Sequence, residues 1–267
     1  MNLRISRINT FALSFILMML IAFSSSFSAL AASPDYYQLQ VYRLTDKAQE
    51  EKTDHYLKNA YLPALHRAGI KEVGVFKPIE SDAAHGKVIY IWMAYKSLDQ
   101  FAKTQEAIEK DKTYLADGKD FLNAAFDQKP FERKESILLK AFSEAANYKI
   151  PSFPTPPSQR IYELRSYEGP TESLFRQKVK MFNEAGEVKL FNDLDFNPLF
   201  FAEVISGSAM PNLMYLTTFA DMASHDAHWK TFVSSPEWKK MDAMPEYKNT
   251  VSHADVLLLH PTDYSDF

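Results

Sequence analysis

The stretch Tyr37-Gln38-Leu39-Gln40-Val41-Tyr42 returns later in the chain as Tyr162-Glu163-Leu164-Arg165-Ser166-Tyr167, an offset of 125 residues. Alternate residues of each stretch share a face, which is the period of a β-strand. Residues 89–98 match 213–222 at an offset of 124, and 137–139 match 256–258 at an offset of 119. This slow drift predicts one module written twice, with short deletions in its loops.

Each copy reads strand, helix, strand, strand, helix, strand. Gly69 is the expected C-terminal cap of the first helix, and Pro63 within that helix predicts a bend. Ser97 or Asp99 is the expected cap of the second helical region. The predicted strands of the first copy are 36–44, 73–76, 88–95 and 137–142, its first helix is 49–68, and the helices of the second copy are 171–192 and 224–241.

This order of elements predicts an α+β fold of two tandem ferredoxin-like modules. A ferredoxin-like sheet carries helices on one face only, so two antiparallel sheets are expected to pack face to face as an intrachain α/β barrel. A stretch with four prolines, Pro151 to Ser158, predicts an extended linker. The expected boundaries are a signal peptide at 1–31, a first module at 32–146, a linker at 147–158 and a second module at 159–267.

Composition excludes several classes of function. The 267 residues contain no cysteine, which excludes disulfides, thiolate metal sites and a cysteine nucleophile. With only seven glycines, of which the nearest pair is Gly69 and Gly74, the sequence contains neither a dinucleotide-binding fingerprint nor a P-loop. The serine-hydrolase elbow and the His-Glu-x-x-His motif are also missing from the sequence.

The first residues predict export. Arg4 and Arg7 precede an apolar run from Phe11 to Phe23, and Ala29-Leu30-Ala31 supplies the small residues of a cleavage site after Ala31. We therefore expect a periplasmic or secreted protein without a membrane span after cleavage. Loss of the two arginines leaves 28 basic and 34 acidic residues, a net charge of −6, which disfavours nucleic acid as a partner.

Three features of the sequence resemble the NIPSNAP family of the dimeric α/β-barrel superfamily. They are the stretch from Tyr162 to Tyr167, the Tyr/Phe-x-[Ser/Asp] turns at Tyr95 and Phe219, and the run Trp229-Lys230-Thr231-Phe232-Val233-Ser234-Ser235-Pro236-Glu237-Trp238. The resemblance is strongest in the second copy, because the first lacks the Pro-Glu-Trp segment. It implies the barrel fold in a tandem, exported member, and it carries over no catalytic residue.

Polar residues of the two repeated strands are the candidate ligand-binding residues. If the Tyr/Leu face of each strand meets the helices, the other face points into the space between the sheets. Arg165 would then hold an anionic or carbonyl group and Glu163 would accept protons. The alternative is a buried ion pair that joins the sheets. The six candidates are Glu163, Arg165, Tyr167, Gln38, Gln40 and Tyr42.

The histidines and tryptophans give weaker signals. His55 and His66 lie about 16 Å apart along one helix, too far to share a metal ion, and should be exposed. His225 and His228 are three residues apart, but without a third fixed ligand they predict no metal site. Filling of the barrel is the expected role of the aromatic residues, with the lining of a ligand cavity as the alternative.

Three functions remain open from the sequence. The leading hypothesis is binding of a small, partly apolar molecule between the two sheets, without a cofactor. The second is a cofactor-independent oxygenase or isomerase that uses Tyr167, Arg165, Glu163 or a histidine of the second copy. The third is a structural or partner-binding module with a filled barrel, and assembly into a homo-oligomer is left open.

Overall fold

Eight β-strands close into one antiparallel barrel in the computed structural model, which describes residues 33–267. The predicted leader at 1–31, with its cleavage site after Ala31, lies outside the described residues. The strands are β1 (Tyr36–Arg43), β2 (Val73–Pro78), β3 (Val88–Tyr95), β4 (Arg133–Ala141), β5 (Ile161–Glu168), β6 (Phe200–Ser206), β7 (Asn212–Phe219) and β8 (His253–Pro261).

The order around the barrel is β1-β3-β2-β8-β5-β7-β6-β4. Strands β1 to β4, called the first half here, form one ferredoxin-like sheet, and β5 to β8, the second half, form another. Hydrogen bonds between β2 and β8 and between β4 and β6 join the sheets edge to edge. The predicted barrel is therefore confirmed, and edge pairing is what closes it, so that neither sheet keeps an open edge.

Helices cover the outside of both sheets. A π-helical turn, Leu57–Tyr61, lies between the first two α-helices and carries the chain into the segment that contains Pro63. The α-helices are α1 (Lys47–Tyr56), α2 (Leu62–Arg67), α3 (Leu98–Lys110), α4 (Lys112–Asp117), α5 (Lys119–Leu122), α6 (Glu172–Asn183), α7 (Glu187–Asp193), α8 (Met222–Ser234) and α9 (Pro236–Ala243). No helix within residues 33–267 is both long and apolar enough to cross a membrane.

Local signals in the sequence find the ends of several elements. Gly69 follows α2 with φ of +92°, a left-handed conformation that favours glycine, and its N–H donates to the carbonyl of His66 at 3.0 Å. Ser97 caps α3 through a hydrogen bond from the N–H of Gln100 at 3.1 Å. Asp221 caps α8 in the corresponding turn of the second half, so the repeated turn motif positions the same helix twice.

Strand register corrects one offset of the repeat. Leu39 pairs with Ile137 in the first half, and the equivalent Leu164 pairs with Leu257 in the second. The last strands therefore correspond at an offset of 120, from 137 to 257, and the offset of 119 is wrong by one residue. A shift of one residue moves every side chain to the opposite face of a strand.

Apolar side chains from all eight strands pack inside the barrel. Tyr37 and Tyr162, which occupy equivalent positions, are both fully buried there, and Trp92 packs against Tyr37 with 5.4 Å between ring centroids. Two further apolar clusters lie between the sheets and their helices, one in each half. The Pro-rich segment packs against the second half, where the hydroxyl of Thr155 donates to the carbonyl of Ala220 at 2.9 Å.

Candidate functional site

The candidate residues of β1 and β5 lie on the helix side of the sheet, which corrects the expectation that they point into the space between the sheets. The side chains that point into the barrel interior are those of Tyr37 and Leu39 in β1 and their counterparts Tyr162 and Leu164 in β5. The reason is hydrogen bonding, because polar groups inside the apolar barrel would be buried without partners. Helix residues supply those partners on the other face, among them Tyr61 for Gln40 and Trp229 for Glu163.

A cavity of about 520 Å³ opens on this helix side in the second half. Arg165 and Tyr167 form part of its floor, and aromatic side chains form most of its walls. At its mouth, Val233 and Val256 expose 54% and 47% of their surface. The lining residues are Arg165, Tyr167, Lys178, Glu187, Phe191, Tyr215, Trp229, Phe232, Val233, Trp238, Val251, Ala254 and Val256.

Buried Glu163 and partly buried Arg165 form an ion pair beside this cavity. Nε of Arg165 donates to Oε1 of Glu163 at 2.7 Å, and a terminal guanidinium nitrogen lies 2.6 Å from the same oxygen. The guanidinium carbon also lies 3.8 Å from the ring centroid of Trp229, whose indole N–H donates to the other oxygen of Glu163. The cation is therefore held on two sides, by a carboxylate and by an aromatic face.

His225 completes this cluster from the first turn of α8. Its Nε2 lies 3.2 Å from Oε2 of Glu163, and its Nδ1 lies 2.9 Å from Asp226. Burial lowers the pKa of His225, but the carboxylates of Glu163 and Asp226 outweigh burial and leave it above its usual value. Burial likewise raises the pKa of Glu163, but His225, Arg165 and Trp229 together hold it below its usual value.

Two tyrosine hydroxyls extend the cluster across the floor of the cavity. A terminal N–H of Arg165 donates to the hydroxyl of Tyr167 at 3.0 Å, and that oxygen lies 3.0 Å from the hydroxyl of Tyr215. Burial raises the pKa of Tyr215, and the neighbouring Tyr167 adds to the shift. The floor thus presents two phenol hydroxyls beside one guanidinium, which is suited to holding a polar oxygen of a bound molecule.

A second buried ion pair, Lys178 with Glu187, lines the same cavity. Nζ of Lys178 donates to Glu187 at 2.9 Å, and the two side chains expose only 8% and 3% of their surface. Burial raises the pKa of Glu187 against the opposing effect of Lys178. The ammonium also lies over the rings of Phe182 and Trp238, at 4.8 and 5.7 Å from their centroids.

The equivalent residues of the first half line no cavity, although one of about 930 Å³ opens elsewhere on that half, beside His55, Tyr56 and Phe121. Gln38 accepts a hydrogen bond from the hydroxyl of Tyr95 at 2.9 Å, and Gln40 donates to Tyr61 at 2.8 Å. Tyr42 packs edge-on against Phe131 with 5.1 Å between centroids. All three candidates of the first half are therefore buried in a packed layer, whereas Arg165 and Tyr167 border a cavity.

The other histidines take separate positions. His55 and His66 are exposed as expected, and His66 pairs with Asp266 at 2.9 Å. His228 contacts the carbonyl of Ser224 at 2.6 Å through Nδ1, so it does not share a partner with His225. Within residues 33–267, one group brings three metal-type donors together, namely Glu168, His253 and Asp255.

Lys178 and Glu187 are pocket residues that the sequence did not predict, whereas Trp229 and Trp238 take the cavity-lining role that was the alternative to filling the barrel. The pattern of α6 contains a signal for Lys178. Phe175, Lys178 and Met181 recur at the spacing of one helical face and all three are buried, so a charged residue occupies an apolar stripe. A buried lysine at such a position indicates an ion pair or a site, because an unpaired charge there is costly.

Similar folds are found among solved structures. A candidate monooxygenase from Lactobacillus acidophilus NCFM superposes at a TM-score of 0.56 with 13% identity, covering 86% of this chain and 94% of that chain. A candidate monooxygenase from Fusobacterium nucleatum gives 0.52 with 11% identity over 86% and 93%. An anthrone oxidase-like protein gives 0.52 with 8% identity over 87% and 93%. At these identities the likeness shows the fold alone.

Sequence comparison gives a family for the second half. A search of curated proteins found no match. The sequence model of the NIPSNAP family matches residues 162–266, which span strands β5 to β8 and all of the helices around the cavity. The resemblance of the second copy to that family is thereby confirmed for residues 162–266.

Proposed function

We propose that the protein binds a small, mainly apolar molecule with an anionic or strongly polarised oxygen in the cavity of its second half. The observation that carries this proposal is the cavity of about 520 Å³, which combines aromatic walls with Arg165 and Tyr167 on its floor. Ligand sites are typically concave and apolar, with a few fixed polar groups that orient the ligand.

The preference for an oxygen of negative character follows from the donors available. A guanidinium carries five N–H groups. Two of those of Arg165 are directed to Glu163 and one to Tyr167, which leaves two for a bound molecule. Tyr167 and Tyr215 share a hydrogen bond, so one of their two O–H groups donates to the other and the second adds one donor beside them. A carboxylate, phenolate or enolate oxygen matches this set, while the apolar part of the molecule would contact Trp229 and Trp238.

A second candidate function is oxygenation or isomerisation of the bound molecule without a cofactor. The observation that favours it is Glu187, a carboxyl that lines the cavity beside Lys178 and whose pKa is raised by burial, as is typical of carboxyls that exchange protons with a bound molecule. The solved relatives described as candidate monooxygenases share only the fold, so they supply no residue roles.

Closing the mouth of the cavity tests the binding proposal. Ala254 lies on the rim, and its position in the first half is taken by Lys134, since Tyr167 pairs with Ala254 as Tyr42 pairs with Lys134. Ala254→Trp should fill the opening, and Lys134→Trp is the matched control. The probe is 8-anilinonaphthalene-1-sulfonate, an aromatic anion whose fluorescence rises in an apolar site.

We expect saturable binding of the probe by the unmodified protein and by Lys134→Trp, and at least about ten-fold weaker binding by Ala254→Trp, the affinity equivalent of about 1.4 kcal/mol. Equal binding by all three proteins would contradict the proposal. Native mass spectrometry of the purified protein would then identify any molecule retained by Lys134→Trp and lost from Ala254→Trp. Oxygen uptake in the presence of that molecule separates an oxygenase from a binding protein.

A further inference from the structure

Three side chains with metal-binding atoms converge at one mouth of the barrel. Each of Glu168, His253 and Asp255 offers one ligand atom, and these atoms all lie within 4.8 Å of one another. Strand register explains the arrangement, because Glu168 of β5 pairs directly with His253 of β8, and Asp255 follows two residues later on the same face of β8. The backbone of two neighbouring strands therefore fixes all three donors.

The three side chains share the inner face of the barrel wall. Along β5 this face carries Tyr162 and Leu164, and along β8 it carries Leu259, all of which belong to the interior core. Glu168, His253 and Asp255 continue the same alternation past the end of the apolar core, where the barrel opens to solvent. This position is separate from the helix-side cavity, since Arg165 and Tyr167 lie on the opposite face of β5.

Equivalent positions in the first half have a different chemistry. By the offset of 120 in the last strands, His253 and Asp255 correspond to Arg133 and Glu135, and Glu168 corresponds to Arg43. Arg43 forms an ion pair with Glu135 at 2.6 Å. Two guanidinium groups repel a cation, so only the second half of the barrel mouth brings a nitrogen ligand and two carboxylates together.

We propose that Glu168, His253 and Asp255 form a binding site for a first-row divalent transition-metal ion, with Zn²⁺ as its reference ion. One imidazole and two carboxylates are a mixed nitrogen and oxygen donor set, which suits zinc, manganese or iron better than calcium or magnesium. Nε2 of His253 and Oδ1 of Asp255 lie 3.1 Å apart, which matches two neighbouring ligands at about 2.1 Å from one ion.

The site leaves coordination positions for water or another ligand. Three protein ligands with the remainder open is the pattern of zinc sites that bind a further molecule, whereas closed structural sites use four. Both His253 and Asp255 are exposed, so an ion can enter without rearrangement of the barrel. The alternative is one ordinary surface ion pair between His253 and Asp255, which contributes about 0–1 kcal/mol and needs no metal.

Calorimetric titration of the full chain with ZnCl₂ tests the site. His253→Gln and Asp255→Asn each remove one ligand atom from an exposed side chain, so both variants should fold. Glu135→Gln, at the equivalent position of the first half, is the matched control. Thermal unfolding of each protein without metal confirms the fold, and titration with MgCl₂ provides the comparison ion.

We expect one Zn²⁺ per chain in the unmodified protein and in Glu135→Gln, with binding at least roughly ten-fold weaker in His253→Gln and in Asp255→Asn. Substitution by Co²⁺ should give a visible absorption band that His253→Gln loses. The absence of saturable binding at one ion per chain would overturn the proposal, as would equal binding by all four proteins, which would show an adventitious ion only.

Discussion

The layer between the sheet and its helices has a different chemistry in each half of the barrel. Between sheet and helices, the first half packs phenol rings, and the hydroxyls of Tyr56 and Tyr114 meet at 2.7 Å while Tyr56 stacks on Phe121 with 3.9 Å between centroids. The second half places two buried ion pairs there and leaves a cavity beside them. At the equivalent strand positions the same fold thus supports packed neutral groups in the first half and a candidate site in the second, while the cavity of about 930 Å³ in the first half lies away from those positions, beside His55, Tyr56 and Phe121.

A few substitutions account for this difference. Gln38 and Gln40 of the first half are replaced by Glu163 and Arg165, so two neutral amides, each hydrogen-bonded to a tyrosine, become an ion pair. The strands that carry these residues are paired alike in the two halves, since β1 pairs with β3 in the same register as β5 pairs with β7. Binding sites are expected where charge is buried at a cost, because packing alone would favour apolar or neutral residues.

The largest effect expected from the comparison concerns the buried ammonium of the second half. Lys178→Met leaves Glu187 buried without its cation and should lower the free energy of unfolding by about 3–5 kcal/mol, measured by urea denaturation. Tyr114→Phe removes the corresponding neutral contact of the first half, and should cost about 1 kcal/mol.

The double variant Lys178→Met with Glu187→Leu separates charge from packing. If the loss in Lys178→Met comes from the unpaired carboxylate, removing that carboxylate should restore most of the stability. A loss in Lys178→Met no greater than that in Tyr114→Phe would contradict this contrast, because it would mean that the two halves are energetically alike.

A smaller effect should appear in the pH dependence of stability. The pKa of His225 is raised above 6.5, so its contribution is complete below about pH 6.5 and is lost as pH rises through the folded pKa. The pKa of Glu163 is lowered below 4.5, so its contribution is complete above about pH 4.5 and is lost as pH falls through the folded pKa. Together they contribute most between about pH 4.5 and 6.5.

His225→Gln should therefore cost more stability at pH 5.5 than at pH 8, by roughly 0.5–1 kcal/mol. Tyr95→Phe provides the control in the first half, because it removes the hydrogen bond to Gln38, the neutral counterpart of Glu163. The cost of that substitution should be equal at both pH values. Equal costs for His225→Gln at the two pH values would show that His225 and Glu163 do not interact as charged groups.

Much of the fold could be predicted from the sequence because its signals are local or periodic. The repeated alternation of Tyr37 to Tyr42 and Tyr162 to Tyr167 identifies paired strands, and Ser97 and Gly69 mark helix ends through their own hydrogen bonds and dihedral angles. These signals depend on residues that are neighbours in the chain, so they can be recognised without knowledge of the tertiary structure.

The candidate site could be predicted only in part. Glu163, Arg165 and Tyr167 are brought together as their spacing indicates, but alternation alone cannot say which face of a strand meets the helices. That choice depends on partners distant in sequence, such as Trp229 for Glu163. Glu187 could not be predicted for the same reason, because its ion pair with Lys178 joins two different helices.

The location of ligand binding is tested most directly by nitrogen-15 NMR of the three tryptophan side chains. Trp229 and Trp238 line the helix-side cavity, and Trp92 lies in the barrel interior between the two sheets. On addition of 8-anilinonaphthalene-1-sulfonate, the indole N–H signals of Trp229 and Trp238 should shift while that of Trp92 stays in place. A shift of Trp92 alone would place the ligand between the sheets and contradict the assignment of the cavity.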